Sequence, residues 1–319
     1  MTVGYHRLDA GGIRLQQLYR IFGRTVAVQD VSFHVPKGSV FGYIGPNGAG
    51  KTTSMRILAT LDLPTYGDAF VDGFSVIHDP ELVRRKLGFM PDAFGSYRDV
   101  SCWEYIDFFA RAYGLIGRER QKRLEWVTDF TGIRGMQHKP ISGLSKGMKQ
   151  RLCLGRALVH DPAVLILDEP AAGLDPRARI ELRNMIGTLG AEGKTILVSS
   201  HILTELAEMC DSIGIIEQGR LLATGSVEAI QEAQRKTRDI RLRVVSDPVA
   251  AEKWLTLHSD CQSISVAGDT LRFDFSGDEE AQADLVAALI QDGCRISEIH
   301  AHQKSLEDVF LHVTEGLVQ

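Results

Sequence analysis

Apolar positions along the first part of the chain alternate with polar ones: Ile13 and Leu15, then Val26 and Val28, then Val31, Phe33 and Val35. Period-two spacing predicts paired short strands, each with one buried face, and Gln29-Asp30 reads as a turn between them. The next apolar run, at 39–44, is continuous and leads straight into a glycine-rich loop. Helical character follows at 52–61, with Pro64 expected to end that helix. Between Tyr97 and Lys139 the pattern is helical, rich in aromatics and poor in strand signals. The runs at 163–167 and 195–199 are apolar on both faces, as strands inside a parallel sheet are. Residues 213–224 read as a hairpin turning at Gln218-Gly219. Strands alternating with helices up to about Gly225 predict an α/β core.

Beyond a polar helical stretch at 227–237 the character changes. Ile240, Leu242 and Val244 alternate, as do Leu271, Phe273 and Phe275, with helices expected at 248–258 and 278–292. Ile296 and Ile299 mark a further strand, and 305–313 a last helix. The expectation is a small α+β domain of the split βαβ type at 238–319, following a larger domain at 13–225.

Composition narrows the class. The chain has 319 residues, 44% hydrophobic and 24% charged, which excludes a disordered tail protein and a disulfide-rich miniature. No apolar run approaches the roughly 20 residues that span a bilayer, and the N-terminus lacks the apolar stretch of a secretory signal. A net charge of -5 is not that of a chain built to coat nucleic acid. The basic run at 118–123 contains Glu119 and reads as a solvated helix face. Five cysteines occur singly without CxxC spacing, as in reduced proteins of a cytosolic compartment.

Gly45-Pro46-Asn47-Gly48-Ala49-Gly50-Lys51-Thr52 fits the pattern GxxxxGK[ST], with an apolar strand before it and a helix after it. The glycines let backbone N–H groups point inward as a nest for phosphate oxygens, and the helix N-terminus presents its dipole to the same anion. Lys51 reaches the β- and γ-phosphates, the Thr52 hydroxyl binds Mg²⁺, and Thr53 completes the phosphate-binding set. This loop predicts a nucleoside triphosphate site.

The buried run at 163–167 ends in Asp168-Glu169-Pro170. Functional groups of open parallel sheets gather at strand C-termini, so both carboxylates should face the phosphate loop. Asp168 is placed to hold Mg²⁺, and Glu169 is the candidate general base for an attacking water.

Ahead of that strand stands Leu144-Ser145-Lys146-Gly147-Met148 and a helical run. Here the sequence resembles the ATP-binding-cassette (ABC) ATPases, whose signature is LSGGQ; Lys146 and Met148 are departures. Four further segments carry the resemblance. Ala172-Gly173-Leu174-Asp175 resembles the D-loop, His201 the switch histidine that contacts the γ-phosphate, and Phe22 the aromatic that stacks on adenine. Residues 87–92 stand in the place of the Q-loop, with Asp92 for the usual glutamine.

The resemblance covers about 13–225. It implies a P-loop (RecA-like) core with an antiparallel β subdomain and a helical subdomain at about 97–140. It also implies that Ser145 and Gly147 bind the γ-phosphate held by a partner subunit, with Asp175 at the dimer interface and Asp92 able to hold Mg²⁺. The C-terminal domain resembles the accessory domain of single-cassette, exporter-like subunits, with 305–311 matching its closing motif and dimer contact or regulation as its implied role. The expected function is an ATP-hydrolysing motor on the cytoplasmic face of the membrane. It would act as a homodimer on separately encoded membrane-spanning permease subunits, not on nucleic acid. The alternative is a soluble ABC ATPase of translation or DNA repair. Translation types usually carry two cassettes and repair types a long coiled coil; this chain has one cassette and no sustained heptads.

Overall fold

The computed structural model describes residues 11–93, 95, 99–227 and 237–303. Residues 1–10, Tyr97 and the elements expected at 228–236 and 305–313 lie outside the described residues.

The alternating apolar residues at the start form one antiparallel hairpin of two long strands, β1 (Gly12–Phe22) and β2 (Thr25–Pro36). The chain reverses at Gly23-Arg24, not at Gln29-Asp30. Gln29 and Asp30 stand together opposite the single residue Tyr19, between the pairs Leu18↔Val31 and Arg20↔Val28. With Asp30 at φ 52°, this is a β-bulge, which borrows turn-forming residues without reversing the strand.

β3 (Val40–Ile44) is buried throughout and delivers the chain to the glycine-rich loop and α1 (Lys51–Leu58). Pro64 does not end that helix. Thr60 at φ 56° does: Leu61 N–H bonds to Arg56 O and Thr60 N–H to Ile57 O, each at 2.9 Å. That is a Schellman cap with threonine in the position glycine usually takes. β4 (Tyr66–Val71) and β5 (Phe74–Ser75) then complete a four-stranded sheet in the order β2-β1-β4-β5.

The remaining elements up to 226 are α2 (Pro80–Lys86), β6 (Leu87–Met90), α3 (Cys102–Ala112), α4 (Gly117–Phe130), α5 (Lys146–Leu158), β7 (Val164–Leu167), α6 (Pro176–Ala191), β8 (Thr195–Ser200), α7 (Leu203–Ala207), β9 (Ser212–Glu217) and β10 (Arg220–Ser226). Their strands form a second sheet with β3, in the order β10-β9-β3-β8-β7-β6, of which β9, β3, β8, β7 and β6 are parallel. Parallel strands share one C-terminal edge. The residues after β3, β6, β7 and β8, namely the glycine-rich loop, Asp92, Asp168-Glu169 and His201, therefore all emerge there.

In α3, Cys102, Tyr105, Ile106 and Ala110 form the inward stripe, and a capping box of Ser101 and Glu104 starts the helix. The aromatics of this region do not all enter the core: Phe108 and Tyr113 fall off that stripe at 64% and 42% exposure. The run at 118–123 is solvated at Arg118, Glu119, Gln121 and Lys122. Arg120 and Arg123 are the exceptions: Arg120 Nε pairs with Asp107 Oδ1 at 3.1 Å, and Arg123 donates to Leu158 O at 2.7 Å and lies 4.5 Å over the Trp126 ring. Among the described residues no helix is long and apolar enough to cross a membrane. All five cysteines are free thiols.

The chain divides into two compact units, 1–225 and 226–319. The second is built from β11 (Thr237–Val244), α8 (Pro248–Thr256), β12 (Cys261–Ala267), β13 (Thr270–Ser276), α9 (Glu279–Gln291) and β14 (Ile296–Gln303). Its antiparallel order β12-β13-β11-β14 is the split βαβ arrangement. Ile240, Leu242, Val244, Leu271, Phe273 and Phe275 line its core against Ala251, Leu255, Leu285 and Leu289 of the two helices. β12 has no counterpart in the sequence reading. A bulge at Ser263, φ 51°, breaks the alternation between Cys261 and Ile264. Ile299 does not join Ile296 in the core; it is 37% exposed, beyond a register shift next to Val244.

One detail of the first unit fixes the strand that leads to Asp92. β6 is an edge strand, and two of its carbonyls bond to side chains instead of a neighbouring strand. Arg156 Nη2 donates to Phe89 O and His160 Nε2 donates to Leu87 O, both at 3.0 Å. His160 also stacks on Tyr113 with ring centroids 3.6 Å apart. Burial there pushes the His160 pKa down to about 4. A histidine buried neutral binds fewer protons folded than unfolded, so stability falls as pH drops from 6.5 towards 4. His160→Gln keeps a donor for Leu87 O and removes the titration. It should lessen the stability lost between pH 7 and pH 5 by about 2 kcal/mol relative to wild type, measured by urea unfolding. Equal losses in the two proteins would contradict the assignment.

Candidate nucleotide site

The glycine-rich loop is shaped by two approaches that admit no side chain. A Cβ on Gly45 would lie 2.2 Å from Ile216 O, and one on Gly50, at φ 103°, would lie 2.5 Å from Ala27 O. The loop is thus pressed between the start of the β9–β10 turn and β2; Gly219 N–H also donates to Ala49 O at 2.9 Å. α1 begins with no side-chain cap and no acidic residue in its first turn, leaving its N-terminal dipole to act on an anion. Pro46, Asn47 and Gly48 form the exposed brow of the loop, Thr52 is exposed and Thr53 half-buried. Lys51 is 5% exposed and donates to Gly45 O at 2.6 Å and Pro46 O at 3.2 Å.

The two carboxylates after β7 differ in environment. Asp168 is 1% exposed, and its Oδ1 accepts from Ser199 Oγ at 2.7 Å. Ser199 Oγ in turn accepts from Glu169 N–H at 2.8 Å, so one hydroxyl of β8 ties both residues down. Burial raises the Asp168 pKa most; Ser199 and Thr52 act against that, and the negative charges of Asp92 and Glu169 add to it. The Thr52 hydroxyl faces this carboxylate, yet Asp168 Oδ2 is buried with no partner in hydrogen-bond geometry among the described residues.

Glu169 adopts φ 47°, a left-handed backbone uncommon for glutamate and of the kind that collects at functional sites. Its Oε1 lies 3.3 Å from Lys51 Nζ and its Oε2 lies 2.9 Å from His201 Nδ1. Lys51, Glu169 and His201 thus make a continuous chain from the phosphate loop to the end of β8, with Asp92 close enough for its charge to act on Asp168. Phe22 ends β1 at 46% exposure and so is not an ordinary core residue of the strand.

Ser145, Gly147 and Asp175 form a second group. Ser145 caps α5 by accepting from Met148 N–H at 3.3 Å, and Asp175 caps α6 by accepting from Ala178 N–H at 2.9 Å. They meet where a Cβ on Gly147 would come 3.2 Å from Ala178 Cβ. Among the described residues no hydrogen bond or ion pair joins these three residues to the glycine-rich loop, Asp168, Glu169 or His201. Ser199 and the strain at Glu169 escape the sequence reading. The serine pair before His201 is the only trace of the first, and backbone dihedrals leave none.

A family model described as "ABC transporter" matches residues 28–172, and one described as "ATP-binding protein DrrA1-3-like, C-terminal domain" matches 225–314. The chain is 39% identical to the ABC transporter ATP-binding protein NatA of Bacillus subtilis, over 66% of this chain and 85% of that one. It is 32% identical to the bacitracin transport ATP-binding protein BcrA of Enterococcus faecalis, over 95% and 96%. A solved structure titled as a dimeric bacterial ABC transporter cassette superposes with a TM-score of 0.62 at 25% identity, covering 67% of this chain and 98% of that one. Phosphate loop, strand-end carboxylates and sequence relatives agree, and the chain belongs to the ABC transporter family, as an ATP-binding, ATP-hydrolysing subunit.

Proposed function

We propose that this chain is the motor of a membrane exporter and works as a head-to-tail pair at the cytoplasmic face, on separately encoded membrane-spanning subunits. The observation that carries the reading is the division of the site into two groups. Lys51, Glu169 and His201 touch one another at the phosphate loop, whereas Ser145 and Gly147 lie at the start of α5 with no bond to them. A hydroxyl, a glycine amide and a helix N-terminus suit a γ-phosphate, and a second copy turned head to tail brings one. The dimeric cassette among the similar structures, and the relative named for bacitracin transport, support this use of the chain.

In this reading Phe22 stacks on adenine, while Gly45, Pro46, Asn47, Gly48, Ala49, Gly50, Lys51, Thr52 and Thr53 hold the phosphates. Thr52, Asp168 and Asp92 offer only hard oxygen donors, and the unpartnered Asp168 Oδ2 suits a divalent cation, so these three would hold Mg²⁺. When bound, that ion neutralises charge on the β- and γ-phosphates. Glu169 takes the proton of the attacking water as the water oxygen bonds to the γ-phosphorus. The bond from that phosphorus to the bridging oxygen breaks, and ADP and phosphate leave. His201 holds the Glu169 carboxylate through Nδ1 and meets the γ-phosphate. Asp175 lies at the contact between the two copies. The unit at 226–319 serves as an accessory domain for dimer contact or regulation.

Glu169→Gln should lower turnover about 100-fold or more, the usual worth of a general base, while ATP binding persists and an ATP-bound dimer accumulates. Phosphate release and light scattering check this, and turnover at the wild-type rate would remove Glu169 as the base. Ser145→Arg should stop hydrolysis yet leave ATP binding by the single chain intact, at a cost of about 1 kcal/mol for the lost helix cap. Undiminished turnover in that variant would count against a site shared between copies.

A further inference from the structure

Arg20 and Phe22 lie two residues apart on β1, and the Arg20 guanidinium carbon sits 4.3 Å from the centroid of the Phe22 ring. That is within cation–π range. The guanidinium is anchored from behind: Nη2 pairs with Asp62 Oδ1 at 2.7 Å, with the two side chains only 22% and 20% exposed. Its Nε is buried without a hydrogen-bond partner among the described residues. Asp62 is itself fixed. Its Oδ1 accepts from Leu63 N–H at 2.9 Å, and the segment is stitched to β1 on both sides of Arg20. Thr65 N–H donates to Tyr19 O at 2.7 Å, and Thr65 Oγ1 accepts from Ile21 N–H at 3.0 Å. This segment follows directly on the Schellman cap of α1, the helix that begins at Lys51.

An exposed phenylalanine at a strand end ordinarily samples several rotamers, and a ligand stacking on it must freeze them. Here one face of the ring is covered by an immobilised cation, while Phe22 keeps 46% of its surface in solvent. A planar base meets a ring already held in one plane. We propose that Arg20, anchored by Asp62, is the positioning residue that backs Phe22 and presents its free face to the adenine of ATP. The proposal rests on Phe22 as the base-stacking residue. It adds a tie between the two ends of the nucleotide: α1 receives the phosphates at its N-terminus, and its C-terminal continuation fixes the base platform.

The test uses the full chain and two ligands, ATP and inorganic tripolyphosphate, which has no base. Arg20→Gln should weaken ATP binding about 3- to 10-fold and leave tripolyphosphate binding at the wild-type level. The loss in steady-state hydrolysis should fall on KM rather than kcat, with partial recovery in Arg20→Lys. Asp62→Asn, which frees the guanidinium without removing it, should act in the same direction and serves if Arg20→Gln does not fold. Phe22→Ala should weaken ATP at least as much, and in that background Arg20→Gln should add nothing. Equal weakening of ATP and tripolyphosphate, or additivity with Phe22→Ala, would overturn the role of Arg20. An unchanged ATP affinity in Phe22→Ala would overturn the platform itself.

Discussion

The structure is organised around one electrostatic constraint: three carboxylates gathered where four parallel strands end. Asp168 is almost wholly buried, and Glu169 and Asp92 bring like charge to it. A buried carboxylate without compensation costs several kcal/mol or gives up its charge. The chain compensates in part, with the Ser199 hydroxyl on Asp168, the Lys51 ammonium beside Glu169 and the uncapped N-terminus of α1. One oxygen of Asp168 stays unpaired and Glu169 stays in a strained backbone. What the protein leaves unsatisfied is what a cation and a phosphate chain would satisfy, which is how a fold stores selectivity for its ligand.

This constraint also explains which parts of the molecule were legible in the sequence. The placement of the glycine-rich loop, Asp168, Glu169 and His201 at one sheet edge could be read because each follows a strand buried on both faces, and such a run fixes where its C-terminal neighbour emerges. The split βαβ unit was legible from alternation in β11 and β13. The failures share a cause. The bulge at Gln29-Asp30, the Schellman cap at Thr60 and the bulge at Ser263 all place a non-glycine residue at positive φ. Residue type marks Thr60 and Ser263 not at all, and at Asp30 it signals a turn without telling a reversal from a bulge, because the pairing of the neighbouring strand decides which forms. Ser199 was invisible for a different reason: its role depends on β8 lying between β3 and β7, and strand order is not written in either strand.

The departures from the family pattern become intelligible through charge. Lys146 occupies the first helical position of α5, where a cation opposes the helix dipole. Its ammonium lies against Gly173, where a Cβ would come within 2.4 Å of it. It is therefore positioned over the loop that runs from Glu169 to Asp175, and a local cost is accepted beside the anion site proposed at Ser145 and Gly147, as expected where function overrides helix preference. Asp92 has a shorter reach than glutamine, but its charge already acts on Asp168, so the position contributes an anion where the pattern usually supplies a neutral amide.

These pieces are joined by α5. Its first residues follow Ser145, the cap that faces a partner's phosphate in the proposed pair. At the other end Arg156, and His160 just beyond, hold the carbonyls of β6 that would otherwise lie open. β6 leads within two residues to Asp92. A rigid helix of 13 residues spans about 20 Å, so a force applied at Ser145 reaches the edge strand without passing through the sheet interior. The two bonds to β6 are made by side chains and not by a neighbouring strand. They tie the edge strand to α5 on one side, while its parallel ladder with β7 and the bond from Asp168 N–H to Met90 O at 2.8 Å tie it to the buried carboxylates on the other, so Asp92 is held between the helix that starts at Ser145 and the strand that ends at Asp168.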